Sequence, residues 1–379
     1  MDSLIDRGQY ASLADCRYLN QASLGLIPRG SLEASTRFLV DVAQHGNLHL
    51  PDQAEAEILD SLHTAAAELL GAPESGVAVV GGASEGLGQL GALLADADGE
   101  VLLVPTDFPS VTYPWLAARE RLGMRVRWVH DTAETDLTQS LIEAMREETT
   151  VVCVSAVQYA TGSRVDVPSL VARARSFGAR IVVDVTQMAG AAPVTMADWG
   201  VDALVCSGYK WLSAPGGVAL LAITEDLAAG VPPIVGWMGS AQPFDFKPDE
   251  LALAPSARRF ELSTMSYSAA LGLLASIELL TGIGLDAVSN HANELARDLA
   301  EQTAACGWVP YRPLDDRSAS SHIVSLRHPT ADVEHVQRVL AEQHRLVTSS
   351  RGGGIRVSLH CYNDSDDVSS LAEALAVIG

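Results

Sequence analysis

The sequence predicts an α/β protein: one large, mostly parallel sheet of seven strands, followed by a smaller C-terminal α+β domain. Two observations lead there. From Val77 to about Ala222, short β-branched runs alternate with amphipathic stretches. That order of strand, helix and strand makes neighbouring strands parallel and lays helices on both sheet faces. After Phe260 the composition changes to a long helical run, Ser266 to Leu280 and then Leu285 to Thr303, leading into strands near 321–327 and 354–359.

The strand candidates, in order, are VAVV at 77, VLLV at 101, RVRWV at 125, VVCVS at 151, RIVVD at 180, ALVCS at 203 and VALLA at 218. Between them lie helical patterns near 84–95, 110–122, 136–147 and 167–177, the last opened by Asp166, Pro168 and Ser169 in the manner of a capped N-terminus. The Pro/Gly-rich passage 230–255 reads as an extended loop over the large domain. We divide the chain into an N-terminal segment 1–30, a large domain 31–265 and a small domain 266–379.

Composition excludes several classes of function. With 379 residues, 48% hydrophobic and 19% charged, the chain can bury a substantial core. Its net charge of −22 repels a phosphate backbone, so nucleic acid is not expected as a partner. The charge-free stretch Leu227 to Phe244 carries Pro232, Pro233 and Pro243 and cannot form a membrane helix, so no membrane association is expected. The opening MDSLIDRGQY has no apolar core of a signal peptide, and a cytoplasmic location is expected. The five cysteines lie far apart, and the sequence reads as having no Cys-x-x-Cys pair and no His cluster at metal spacing, so neither a metal nor a disulfide framework is expected.

The passage VVGGASEGLGQLGALL at 79–94 is a strand, a glycine turn and a helix, like the nucleotide-binding turn of a short-chain dehydrogenase. Such an enzyme needs a tyrosine four residues before its lysine, but Cys206 and Pro243 stand there before Lys210 and Lys247. The physics of the turn survives: backbone N–H groups and a hydroxyl at a helix N-terminus hold a phosphate, which makes Ser84 a phosphate ligand or a plain N-cap.

Only Lys210 and Lys247 are lysine, so lysine chemistry has two candidates, and Lys247 sits among acids and prolines as a loop charge. Asp184 closes the strand RIVVD, and Lys210 follows the next strand in SGYKWL. Both therefore reach the carboxyl edge of one parallel sheet, where open α/β sheets bind ligands. A lysine that forms a Schiff base and a carboxylate that keeps a pyridine nitrogen protonated are what pyridoxal phosphate chemistry requires.

With YLNQASLGLIP at 18 and IRVSLHCYND at 355, these motifs resemble the class V aminotransferase superfamily of fold-type I pyridoxal phosphate enzymes, in the branch of cysteine desulfurases and isopenicillin N epimerase-like proteins. The resemblance implies pyridoxal 5′-phosphate as cofactor, a small amino-acid substrate, and a homodimer with shared active sites. It makes Lys210 the Schiff-base lysine, Asp184 the pyridinium partner and Gln187 a donor to the cofactor's phenolic oxygen. Ala83, Ser84, Ser207 and Tyr209 become phosphate neighbours, Phe108 the ring stacked on the cofactor, and Thr264 a hydroxyl reaching the neighbouring subunit's phosphate. Asn20, Ala22 and Gln158 line the substrate mouth, and Arg356 takes the substrate α-carboxylate. Arg351 is either a second substrate contact or an exposed loop charge, and Cys361 reads as packing.

Desulfurases of this branch carry a cysteine on the loop before the carboxylate-binding arginine, and a histidine where Phe108 stands. Here the loop reads RLVTSSRGGG, without cysteine, and a phenyl ring cannot move protons. Racemisation needs a base on each face of Cα, and no second base identifies itself. β-Elimination needs only Lys210 and a good leaving group such as a thiolate. The leading expectation is a carbon–sulfur β-lyase acting on an S-conjugated cysteine. An aminotransferase or decarboxylation-coupled oxidative deaminase comes second, ahead of an epimerase, a desulfurase and a non-catalytic regulator.

Overall fold

The computed structural model describes residues 1–378. A short N-terminal strand β1 (Arg17–Tyr18) precedes the main sheet, whose strands are β2 (Val77–Val80), β3 (Glu100–Leu103), β4 (Arg125–Trp128), β5 (Thr149–Ser155), β6 (Arg180–Asp184), β7 (Ala203–Ser207) and β8 (Ala219–Ile223). They lie in the order β2-β8-β7-β6-β5-β3-β4. The pairings among β7, β6, β5, β3 and β4 are parallel. β8 runs antiparallel to both β7 and β2. β2 thereby points the same way as the parallel strands, and its carboxyl end opens on the same edge.

Both faces of this sheet are covered, which is why its strands read as unbroken apolar runs rather than alternating ones. Val77, Val79, Val152, Val154, Ile181, Val183 and Leu220 pack into one core layer, and Ala78, Val80, Val101, Leu103, Val151, Val182 and Leu221 into the other. The helices Ala83–Leu94 and Pro109–Leu122 cover the second face. Leu141 and Leu170, from the helices Leu137–Ala144 and Val167–Arg175, fill the first. Asp166 caps the latter helix, accepting from the Ser169 amide at 3.3 Å, as its sequence suggests. The edge strand β4 is left half-open and carries Arg125 and Arg127, charges that discourage pairing with another sheet.

Three helices ahead of β2, Arg29–His45, Asp52–Glu57 and Asp60–Leu70, were not singled out from sequence. The first leaves Leu32, Leu39, Val40 and Val42 exposed while burying Ser31 and Ser35, so its apolar residues do not mark the face that packs inward. The helix Tyr267–Ile283 packs Leu273, Ile277 and Leu280 into the layer beneath the large sheet. Val288 of the next helix, Leu285–Ala304, still packs in that layer, whereas Ala292, Leu295 and Leu299 pack with the C-terminal sheet.

The C-terminal sheet comprises β9 (Val309–Pro310), β10 (Ile323–Arg327), β12 (Ser349–Arg351) and β13 (Gly354–Ser358), in the antiparallel order β12-β13-β10-β9. Its inner face, with Val324, Leu326, Ile355 and Val357, packs on Leu295, Leu299, Leu340 and Leu371 of the flanking helices. β11 (Leu346–Val347) pairs in parallel with β1. The N-terminal chain is thus tied to the small domain and then crosses to the carboxyl edge of the large sheet. No described helix is by itself long and apolar enough to cross a membrane.

Candidate active site

Strand direction assembles the site. Asp184 ends β6 and is in register with Ser155, which ends β5, while Ser207 ends β7. The helix Ala83–Leu94 begins just after β2, with Gly82 as its N-cap. Gly82, Ser84, Phe108, Asp184, Gln187 and Lys210 line one cavity on this edge. Ser110, Ser155, Tyr159 and Thr186 also line it, although sequence reading did not single them out.

Lys210 is 5% exposed and its Nζ lies 5.0 Å from the centroid of the Phe108 ring. Burial pushes its amine down to about 8, and Arg356 pushes the same way, while Asp184 and Asp107 oppose both. Asp184 accepts the Thr186 amide at 2.7 Å, and burial raises its carboxyl above the ordinary range, with Lys210 pulling it back. Gln187 is oriented by chemistry alone: the indole Nε1 of Trp211, a donor only, binds its Oε1 at 2.8 Å. The Gln187 NH2 then donates one proton to the Ala22 carbonyl at 3.2 Å and keeps another free.

Behind Phe108 lies Asp107, which has the look of a turn residue in TDFP and was missed. Its carboxylate accepts from the Ser155 amide at 2.8 Å, the Ser155 hydroxyl at 2.6 Å, Gln158 Nε2 at 3.1 Å and its neighbour Phe108 N at 2.7 Å. It holds Gln158 and the backbone of the covering ring, and burial lifts its carboxyl to about 6. Tyr159 meets Phe108 edge to face at 5.5 Å.

Ser84 does not cap its helix; its hydroxyl pairs with that of Ser110 at 2.6 Å. Ala83 is buried at the same helix start, and the Ser207 amide donates to Thr186 at 3.0 Å. Tyr209 is half-buried, 5.8 Å from the Lys210 amine. The N-terminal crossing brings Ala22 against Ser358 and Asn20 against Arg356. Arg356, 1% exposed, donates to the Tyr159 carbonyl at 2.8 Å and to Asn20 and Ser23, and its charge is pushed down to about 10 by burial and by Arg351. Thr264 is not brought to this cavity within the chain; it is exposed and contacts Glu55 at 3.4 Å.

Lys247 stands exposed near Asp245 and Glu250. Cys361 is buried beside His360 Nδ1 at 3.3 Å, its thiol pushed up to about 12 by burial. One sequence expectation is corrected: the end of the helix Arg29–His45 gathers Asp41, His45 and His49, with ligand-type atoms within 4.8 Å of one another. The four-residue spacing sets Asp41 and His45 on one helix face, and the turn at Gly46 carries His49 back to the same carboxylate.

The family model described as aminotransferase class-V matches residues 17–371. Among curated proteins, the chain is 26% identical over 316 residues to an uncharacterized aminotransferase of Bacillus subtilis, covering 82% of this chain and 81% of that protein. It is 25% identical to a probable cysteine desulfurase of Streptomyces coelicolor, covering 91% and 82%. Among solved structures, the apo cysteine desulfurase of Thermococcus onnurineus NA1 superposes with a TM-score of 0.87 at 22% identity, covering 98% of this chain and 97% of that one. The cystine C–S lyase C-DES, in complex with its reaction product cysteine persulfide, gives 0.87 at 23% identity, covering 98% and 100%. At these identities the structural likeness concerns the fold.

Proposed function

We propose that this chain, which belongs to the aminotransferase class-V family and is a pyridoxal 5′-phosphate enzyme, is a carbon–sulfur β-lyase that releases a free thiol from an S-conjugated cysteine. The residues at the cavity suit the cofactor. They offer a buried primary amine, a buried carboxylate, an amide with a spare N–H, an aromatic cover, and a helix N-terminus flanked by the Ser84 and Ser110 hydroxyls. We assign Lys210 to the Schiff base, Asp184 to the pyridine nitrogen, and Gln187 to the phenolic oxygen. Ala83, Ser84, Ser207 and Tyr209 are assigned to the phosphate, and Phe108 to the ring face.

Bound there, the cofactor supplies an electron sink for negative charge at the substrate Cα. Arg356 holds the α-carboxylate through its guanidinium. Lys210, partly uncharged near neutral pH, takes the Cα proton. The thiolate leaves Cβ, and one water completes conversion of the remainder to pyruvate and ammonium. Asn20, Ala22 and Gln158 shape the mouth, with Asp107 fixing Gln158.

The observation that carries the elimination reading is the absence of a thiol where sulfur would be captured. The segment before Arg356 is a tight β12–β13 hairpin of Ser349, Ser350 and Arg351. Cys153 and Cys206 are buried within the sheet layers and Cys361 is packed beside His360, so none lines the cavity. Sulfur therefore departs as a small-molecule thiol. The C–S lyase activity of C-DES, a protein of the same fold, supports this reading. We also propose a homodimer in which Thr264 reaches the partner's phosphate site, supported by the exposed Leu32, Leu39 and Val40 on the helix Arg29–His45; light scattering that finds an active monomer would refute it.

The test incubates holoenzyme with a panel of cysteine conjugates and follows thiol, pyruvate and ammonia. Equal yields of the three support the lyase. Enzyme-bound persulfide with alanine would establish a desulfurase instead, and accumulation of the pyridoxamine form with an amino donor an aminotransferase.

A further inference from the structure

The face of the C-terminal sheet turned toward the cavity is polar, and its polar groups are left without partners. Register places Ser325, Arg356 and Ser349 in one row across β10, β13 and β12, and pairs Arg351 with Gly354 two rows on. Because side chains alternate along a strand, Arg351, two residues beyond Ser349, shares a face with Arg356 and is its diagonal neighbour. In the first row the buried hydroxyls of Ser325 and Ser349 and the Nε of Arg356 have no hydrogen-bond partner among the described residues, nor has the adjacent Thr348 hydroxyl. Buried polar atoms are nearly always paired in a folded protein. A cluster of them around one arginine marks a place where a ligand completes the set.

The charges say what kind of ligand. Acids outnumber bases 47 to 25 in this chain, yet among the described residues neither Arg356 nor Arg351 pairs with a carboxylate. Arg356 binds only neutral oxygens, and Arg351 donates only to the Ser350 carbonyl at 2.7 Å. The third arginine of this face, Arg327, is already committed: it lies 4.9 Å from the Tyr311 ring centroid and its Nη1 holds the Gly352 carbonyl. That bond fixes the Gly352–Gly353 turn, whose φ values of +53° and +80° only glycine adopts readily, and the turn fixes Arg351 at the end of β12. A groove of ≈ 750 Å³ runs from Asn20 and Ser23, which touch Arg356, past Ser349 to Arg351. The wall supplied by the helix Val333–His344 carries Glu334, Arg338 and Glu342, so it adds no net positive charge, and Arg351 is the uncommitted arginine nearest Arg356 along the strand register.

We propose that Arg351 is a second anion-binding residue and that the substrate is a dicarboxylate: an S-conjugated cysteine whose α-carboxylate lies on Arg356 and whose sulfur substituent ends in a carboxylate on Arg351. The proposal rests on the reading of Arg356 given above, and it names the substrate class that the lyase reading left open. Ser349 and Ser325 donate to the carboxylate held by Arg356, Cα and Cβ stay at the Lys210 cavity, and the groove takes the substituent beyond sulfur.

The test uses holoenzyme and unreactive ligands, so it does not depend on turnover. Calorimetric titration compares glutarate with butyrate, which keeps the chain and lacks the second carboxylate. Glutarate is expected to bind at least threefold more tightly, and Arg351→Ala and Arg351→Gln to bring the ratio to about one, with Arg351→Lys keeping part of it. Arg351 is exposed, so these variants fold, and circular dichroism checks that they do. Equal binding of the two acids by the unaltered protein, or a ratio that survives Arg351→Ala, overturns the proposal. A holoenzyme that shows the glutarate preference yet releases thiol from no conjugate would refute the lyase reading alone. Thiol release from neutral and carboxylated conjugates at the same specificity, with no glutarate preference, would refute the second anion site alone.

Discussion

The protonation of Lys210 can be tested quantitatively. A shift from 10.5 to about 8 corresponds to about 3 kcal/mol against the ammonium form, dominated by burial. At pH 7.5 roughly a quarter of Lys210 is then uncharged, against roughly one in a thousand for a lysine in water. The uncharged amine is the nucleophile that captures an aldehyde, so apoenzyme mixed with pyridoxal phosphate should capture it at a rate that half-rises at about pH 8. A parallel run against a lysine peptide removes the cofactor's own titration. Asp184 favours the ammonium, so Asp184→Asn should move the midpoint down; Arg356 disfavours it, so Arg356→Ala should move the midpoint up. The stability consequence has the same origin. The folded apoenzyme binds fewer protons at Lys210 than the unfolded chain between about pH 8 and 10.5, so its stability gains from rising pH across that window. Lys210→Met should remove that gain. A capture profile that half-rises near 10.5, or charge variants that shift it in the same direction, would refute the reasoning.

Three further outcomes follow from the geometry. The Asp107 carboxyl, lifted from 3.8 to about 6, binds its proton more tightly in the folded state, so this group's contribution is lost as pH rises from about 4 to 6. In urea titrations over that range Asp107→Asn should gain on the unaltered protein by up to about 3 kcal/mol, and a constant offset would sink the idea. Trp211→Phe removes the indole donor to Gln187 and leaves its buried oxygen unpaired; we expect a loss of about 1–3 kcal/mol in thermal unfolding and an altered visible spectrum of the holoenzyme. An unchanged spectrum would show that Gln187 does not face the cofactor. Gly25 has an ordinary backbone conformation, but a Cβ there would meet the Lys210 carbonyl and come within 2.8 Å of Gln21 Nε2. Gly25→Ala should therefore slow cofactor capture at least tenfold by displacing the lysine loop, and normal capture would show that the N-terminal crossing does not position it.

The sequence by itself determined the α/β class, the large sheet and the location of the chemistry. The sheet announced itself because burial on both faces demands uninterrupted apolar strands such as VVCVS and RIVVD, a local signal that no partner can imitate. Lys210 and Asp184 were readable because a chain with two lysines leaves little choice, and because a charged residue closing a buried strand has no packing reason to be there. Tertiary structure decided what local pattern does not encode. The antiparallel course of β8 depends on pairings across the sheet. Asp107 looks like any turn aspartate until Ser155 and Gln158, more than forty residues away in sequence, converge on it. Trp211 orients Gln187 from 24 residues away, and the N-terminal segment reaches Arg356 from 336. Arg351 could be an ordinary loop charge until strand register sets it beside Arg356 on a face whose hydroxyls lack partners. In each case the function of a polar side chain depends on which donors and acceptors surround it after burial, and those neighbours are chosen by the fold rather than by adjacency along the chain.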